Sequence, residues 1–266
     1  MKLIQITDLH YVNSGQQVHG LYPEERLKSC ISDINTNHAD ADHCIITGDL
    51  VHNDSIETYE SLRDCLRTLS VPYHFLIGNH DNRENFHQVF PETPCDENGF
   101  IQSVVDTAVG RLMLLDTVEH GQNWGTYCEK RRKWLHVQLA ASRERIVYLF
   151  MHHPPFKIGL PCLDRIRLIN DGHHLHKIIE PHKNIHHIFL GHVHRPVSGS
   201  WKGIPFSILR GINHQVPFDF KALEVVPKNH EPPSYAVIFL EPEQTIVHFH
   251  NFMDNSVYPY EPKSRA

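Results

Sequence analysis

The sequence predicts an α/β fold in four layers, two mixed β-sheets stacked together and flanked by helices. Three observations predict it. Short apolar runs recur as LIQIT (3–7), HCIIT (43–47), YHFLI (73–77), IVYLFM (146–151) and HHIFL (186–190), each a length suited to a buried strand. Amphipathic helical patterns separate the first three runs, a βαβαβ opening that builds parallel pairs. Later segments read as hairpins, so the sheets are mixed, and helices outside them cover both apolar faces.

Taken in order, LIQIT is followed by a helix over residues 24–37. Leu27, Cys30, Ile31 and Ile34 share one face there, with Pro23 acceptable in the first turn. After HCIIT, residues 55–69 repeat the pattern with Tyr59, Leu62, Leu66 and Leu69. Asp54 is the expected N-cap, with Glu57 three residues later. The stretch FIQSVVDTAVGRLMLLD predicts two antiparallel strands around a turn near Val109 and Gly110. Residues 128–141 and 171–182 predict helices. From Ile204 the chain is strand-like, as PFSILR, YAVIFLE and TIVHFH, interrupted by a surface loop or insertion over 217–233 that carries Pro227, Pro232 and Pro233. Residues 1–250 are expected to form one domain, and 251–266 a C-terminal tail available for oligomer contacts.

Composition narrows the function. The 266 residues include 31 acidic and 25 basic side chains, a net charge of -6, without a long Lys/Arg run, so a nucleic-acid polymer is not the expected partner. The 24 histidines stand out, because imidazole is the commonest metal ligand. Cys30, Cys44, Cys65, Cys95, Cys128 and Cys162 form no C-x-x-C pair, which argues against a zinc ribbon and suits free thiols in a reducing compartment. The chain opens directly on MKLIQIT and has no apolar run of membrane-spanning length, so a soluble cytoplasmic protein is expected.

Residue types that bind metals fall just past the strand ends. Asp8 and His10 follow LIQIT, Asp49 follows HCIIT, Asn79 and His80 follow YHFLI, His152 follows IVYLFM, and His192 and His194 follow HHIFL. Ligands bind at the carboxyl ends of strands in α/β sheets, so five loops can converge on one cleft. Gly48, Gly78 and Gly191 are expected to provide the sharp turns that aim the next side chain. The two-residue spacing of Asp8 with His10, and of His192 with His194, aims each pair one way on extended backbone. By the same rule His153 points away from His152 and is expected to be a neighbour, not a ligand. Packing or solvent exposure is expected for His173, His174, His176, His186 and His187, and a structural place for His248 and His250.

The blocks D-L-H, G-D-L, G-N-H-D, H-H-P-P and G-H-V-H, in that order from Asp8 to His194, resemble the calcineurin-like metallophosphoesterases. Within that superfamily the chain is similar to class III cyclic nucleotide phosphodiesterases and, more closely, to glycerophosphodiesterases of the same fold. That similarity rests on the spacing of D-L-H from Gly15 and Gly20, on F-M-H-H-P-P, and on N-H-Q-V-P at 213–217. The resemblance implies that Asp8, His10 and His194 hold one metal ion, that Asn79, His152 and His192 hold another, and that Asp49 bridges them. A bridging carboxylate suits the separation of about 3.5–4 Å used by two-metal hydrolases. The donor set accepts Fe, Mn, Zn or Co. The implied reaction is in-line attack on phosphorus by hydroxide held on the metals. His80 lies outside the inherited ligand set and is expected to stabilise phosphate or protonate the leaving alkoxide, with Asp81 orienting it. His214 is a second candidate for that work. Asn79, His80 and His19 are the expected substrate contacts, and a homo-oligomer is implied as well.

Small phosphodiesters, either cyclic nucleotides or glycerophosphodiesters, are therefore the expected substrates. The alternative is hydrolysis of phosphomonoesters or phosphonate monoesters on the same metals. Related protein phosphatases carry an arginine shortly after the bridging aspartate, where it clamps a dianion. Here L-V-H-N-D follows Asp49, and His52 stands where purple acid phosphatases have the tyrosine of G-D-x-x-Y. Both departures favour a monoanionic diester. A non-catalytic binding module of this fold would have degraded ligands, and none of the seven positions is degraded.

Overall fold

The computed structural model describes residues 1–169, 171–254 and 256. In chain order its elements are β1 (Lys2–Ile6), α1 (Pro23–Asn37), β2 (His43–Thr47), α2 (Ile56–Leu66), β3 (Tyr73–Leu76), α3 (Arg83–Val89), β4 (Ser103–Asp106) and β5 (Arg111–Leu115). They continue with α4 (Glu129–Ala140), β6 (Val147–Met151), α5 (Pro161–Asp164), α6 (Gly172–Ile179), β7 (Ile185–Leu190), β8 (Val197–Trp201), β9 (Ile204–Ile208), β10 (Tyr235–Leu240) and β11 (Thr245–His250). One sheet has the order β11-β10-β1-β2-β3 and the other β4-β5-β6-β7-β9-β8. Both are mixed. β1, β2 and β3 pair in parallel while β10 joins β1 antiparallel, and β5, β6, β7 and β9 run parallel between antiparallel edges.

Side-chain alternation along the strands produces the layers. In β1, Ile4 and Ile6 join a core under α1 and α2 that includes Leu27, Ile31, Tyr59 and Leu62. Leu3 faces the other way, into a core between the sheets with Ile45, Tyr148, Phe150 and Phe189. The opposite faces of β6 and β7 present Leu149, Met151, Ile188 and Leu190 to Leu135 and Leu139 of α4 and Leu175 and Ile179 of α6. Three apolar cores therefore separate four layers, as alternation over a two-residue period requires.

Several details differ from expectation. Ser55, not Asp54, caps α2: its hydroxyl accepts from the Thr58 amide at 3.2 Å. Asp54 instead offers its carbonyl to Asn85. The seven-residue α3, capped by the Asn82 side chain, the single turn α5 and the strand β8 were not anticipated. The 100–116 hairpin forms as expected, with Asp106 opposite Arg111. Within the expected 251–266 tail, 255 and 257–266 lie outside the described residues.

Phe150 and Phe189 stack in the inter-sheet core with ring centroids 4.6 Å apart, and both are fully buried. Phe150→Ala is expected to cost about 3–5 kcal/mol through lost transfer energy and the cavity left behind, read as a lower urea midpoint at unchanged slope.

Candidate metal centre

The carboxyl ends of the two sheets meet in one cleft. Beyond β1 the chain stays in register with the segment after β2, because the Asp8 amide donates to Gly48 and the His10 amide to Asp49, each at 3.0 Å. The second sheet is joined across the seam where His152 Nδ1 meets the Thr47 carbonyl at 2.8 Å. Gln5 spans the same seam, donating to Thr47 Oγ1 at 3.1 Å and to the Leu190 carbonyl at 3.3 Å.

The backbone at the site is left-handed. φ is 51° at Asp8, 43° at His10, 49° at Asp49, 68° at His192 and 52° at His194. The two-residue spacings therefore work through left-handed turns and not through extended backbone, as had been expected. Gly48 is itself left-handed at φ 95°, but Gly78 and Gly191 are not. Their need for glycine is close approach: a Cβ on Gly78 would lie 2.3 Å from Asp49 Oδ1.

Ligand atoms of Asp8, His10, Asp49 and His194 all lie within 4.8 Å of one another. Asp8 Oδ1 is 3.2 Å from His194 Nε2, and Asp49 reaches His10 Nε2 at 3.7 Å with one oxygen and His152 Nε2 at 3.5 Å with the other. Asp8 Oδ1, Asn79 Oδ1, His152 Nε2 and His192 Nε2 are buried and have no hydrogen-bond partner. Buried polar atoms are normally paired, so an unpaired group of this kind points to a cation. Tautomers agree, since His152 Nδ1 is committed to the Thr47 carbonyl and His194 Nδ1 to the His214 carbonyl at 2.7 Å, leaving each Nε2 as the donor atom.

Electrostatics also suit a cation. Burial works against the charge on Asp49, but His152, His80 and His10 outweigh it and hold the carboxyl well below the usual range. Asp8 is lowered in the same way, burial being overcome by His194 and His152. Burial opposes a proton on His152, yet Asp49 and Asp8 push it up to about 9, and Asp8 likewise raises His194. Burial and the His152 charge drive His192 down to about 3. Burial and His80 push His10 well below the imidazole range.

The other candidates have definite places. His80 donates its amide to Asp49 Oδ1 at 2.8 Å, and its Nδ1 meets the His52 carbonyl at 3.2 Å. Asp81 does not orient His80. It gathers the amides of Gly78, Leu50 and Val51 and the Tyr59 hydroxyl, pinning the β2 and β3 loops together, while burial and Asp49 push its carboxyl up to about 7. His214 packs its ring 4.4 Å from His194 and 4.6 Å from His19, which places both beside the cluster. His153 departs from expectation: its ring centroid is 4.6 Å from that of His192, and its ligand atom clusters with those of His152 and His192. Its Nδ1 meets Thr117 Oγ1 at 2.8 Å.

A cavity of about 480 Å³ opens over the cluster, lined also by His52, Asn123, Trp124, Arg165 and Lys228, none of which was singled out as a site residue from the sequence. His52 had a signal, three residues after Asp49. The others come from loops whose approach is set only by folding. Of the remaining histidines, His174 lies 3.4 Å from Asp171, His176 packs on Trp201, His187 on β7 bonds Ser207 on the neighbouring β9, and His250 pairs with Asp33.

The pattern of the calcineurin-like phosphoesterase family matches residues 1–196. The chain belongs to that family. This calcineurin-like phosphoesterase is 41% identical over 256 residues to a probable cyclic nucleotide phosphodiesterase of Rhodopseudomonas palustris, covering 95% of this chain and 93% of that protein. It is 29% identical over 262 residues to a probable glycerophosphodiester phosphodiesterase of Arcobacter nitrofigilis, covering 98% and 96%. A dimetal phosphatase from Danio rerio shares the fold, with a TM-score of 0.71 at 16% identity over 94% of this chain and 96% of that one. Calcineurin-like phosphoesterases are hydrolases with a dinuclear metal centre, and the donor atoms here fit one. No helix among the described residues is long and apolar enough to cross a membrane.

Metal uptake is expected to release protons. His152, raised to about 9, is protonated near neutrality without metal and must lose the Nε2 proton to coordinate, and His194 is shifted in the same direction by Asp8. Affinity should therefore climb as pH rises toward 9 and fall below it. Calorimetry of Mn(II) binding at pH 7 in buffers of different ionisation enthalpy should show at least about one proton released per chain.

Proposed function

We propose that this calcineurin-like phosphoesterase hydrolyses small phosphodiesters, cyclic nucleotides or glycerophosphodiesters, on two metal ions. Asp8, His10 and His194 would hold one ion, Asn79, His152 and His192 the other, with Asp49 between them. The observation that carries this proposal is the set of four unpaired buried donors around Asp49, each a cost of about 1–3 kcal/mol unless a ligand satisfies it. When bound, the ions supply Lewis acidity toward the phosphoryl oxygens and activation of water. Fe, Mn, Zn or Co fits the mixed imidazole, carboxylate and amide set. The names of the relatives supply the two diester classes.

The chain's own residues do the rest. Asp49 is kept anionic against burial by His152, His80 and His10, and the His80 amide holds it in place. His80, with Nδ1–H donating to the His52 carbonyl, carries on Nε2 the proton that the leaving alkoxide takes. His214 and His19 line the same cavity beside it, where they contact substrate. Leu50 and Val51, which follow Asp49, are buried and apolar, so that loop offers no guanidinium for a dianion. Arg165 and Lys228 line the cavity, and these two cations favour the second reading, a phosphomonoesterase or phosphonate monoester hydrolase. A homo-oligomer and a cytoplasmic location complete the proposal. Exposed Phe218, Phe220, Leu223 and Val225 support the first, and six free thiols the second.

The test is turnover of 3′,5′- and 2′,3′-cyclic nucleotides, glycerophosphodiesters, an aryl phosphonate monoester and phosphomonoesters by protein reconstituted with each metal. Faster turnover of monoesters than of every diester would sink the proposal. For His80→Ala, both metals should stay bound while kcat falls about 10²–10⁴-fold on an alkyl diester, whose leaving group needs the proton. The loss should be far smaller on an aryl diester. Equal losses on the two substrates would remove His80 from the role of acid.

A further inference from the structure

The imidazoles assigned above to the metals differ in what holds the ring nitrogen that faces away. His152 Nδ1 and His194 Nδ1 rest on the main-chain carbonyls of Thr47 and His214. His10 rests on a side chain. Its Nε2 faces the cluster, 3.1 Å from His194 Nε2 and 3.7 Å from Asp49 Oδ2, while its Nδ1 lies 3.4 Å from His52 Nδ1. A histidine that coordinates through Nε2 carries its hydrogen on Nδ1, so the His52 nitrogen opposite must accept it.

His52 is placed to do this. Its amide donates to the Tyr11 carbonyl at 2.9 Å, which extends the pairing between the β1 and β2 loops by one more residue. Its carbonyl receives His80 Nδ1 at 3.2 Å, and its ring stacks on that of His80 at 5.1 Å with 23° between the planes. One residue thus touches both a candidate ligand and the candidate acid. Accepting through Nδ1 leaves the His52 hydrogen on Nε2.

Building on the metal assignment made above, we infer that His52 is a positioning residue that fixes the tautomer and aim of His10 through a ring-to-ring hydrogen bond. Partners of ligating histidines typically govern metal affinity by 10–100-fold. Main-chain partners cannot be removed by substitution, so among these three imidazoles His10 is the one whose support a side-chain exchange can test.

Two variants separate the hydrogen bond from the packing. In His52→Asn the amide oxygen takes the place of Nδ1 and still accepts, but the stack on His80 is lost. In His52→Phe the stack remains and the acceptor is gone. Calorimetric titration of metal-free protein with Mn(II) alone should show two sites in the unsubstituted chain. His52→Phe should weaken one of them by about 10–100-fold and leave the other unchanged, and His52→Asn should stay near the unsubstituted affinity. Packing alone predicts the opposite order. A Phe variant that binds as tightly as the unsubstituted chain, or an Asn variant as weak as the Phe variant, overturns the inference. An unsubstituted chain that takes up no Mn(II) overturns the metal assignment itself, a separate outcome read before any variant is compared. None of these readouts needs a substrate, so failure of the diester proposal leaves the test of His52 intact.

Discussion

The carbonyl of Thr47 is the last of β2, and it receives the imidazole of His152 from the opposite sheet at 2.8 Å. Two sheets that face each other through an apolar core are joined by this bond, and by Gln5 on the Leu190 carbonyl, at the end where the chemistry sits. Thr7 donates to the same carbonyl at 3.3 Å, and Gly191 must stay bare because a Cβ there would lie 2.3 Å from Thr7 Oγ1. The seam sets the distance between the carboxylates of the first sheet and the imidazoles of the second. The His192 amide, donating to Asp8 Oδ2 at 3.1 Å, ties the two halves together a second time.

Backbone strain is concentrated there. Five candidate ligands hold left-handed φ values, a conformation that costs non-glycine residues of order 1–3 kcal/mol each. Such a cost persists only where the surroundings over-determine the conformation. Here they do, through the continued β1–β2 pairing past the strand ends and through Asp81, which collects three amides from two loops and a tyrosine hydroxyl from α2. The three apolar cores hold the strands whose ends carry these loops.

Most of the sheet framework was legible because strands buried on both faces must be continuous apolar runs, and here each is followed at once by a polar block. β8, VSGSW, was not legible: it is an edge strand with its central residues exposed, defined only by pairing with β9. α3 buries only Phe86 and Val89, too few for a period to show. Asp54 and Ser55 are both good caps, and only the fold chooses between them. The converging ligands could be read because each sits at a strand end. His153 is a neighbour of the cluster, but it turns toward His192 and not away, because the alternation rule needs extended backbone and the chain bends after β6. The spacing of His52 from Asp49 was visible, but that its ring faces the rear of His10 is set by the fold.

β1 lies inside its sheet, between β2 and β10, with Lys2 opposite Phe239. During synthesis at roughly 5–20 residues per second, β1 therefore waits roughly 10–50 seconds for β10, one of its two neighbours. For most of that interval it shows an unpaired apolar edge with Asp8 and His10 at its end, next to a growing chain that does not yet contain His192 or His194. The molecule thus spends its nascent life with half a chelating site and an open strand edge, a period in which a stray metal ion or a second nascent chain finds it at its most vulnerable.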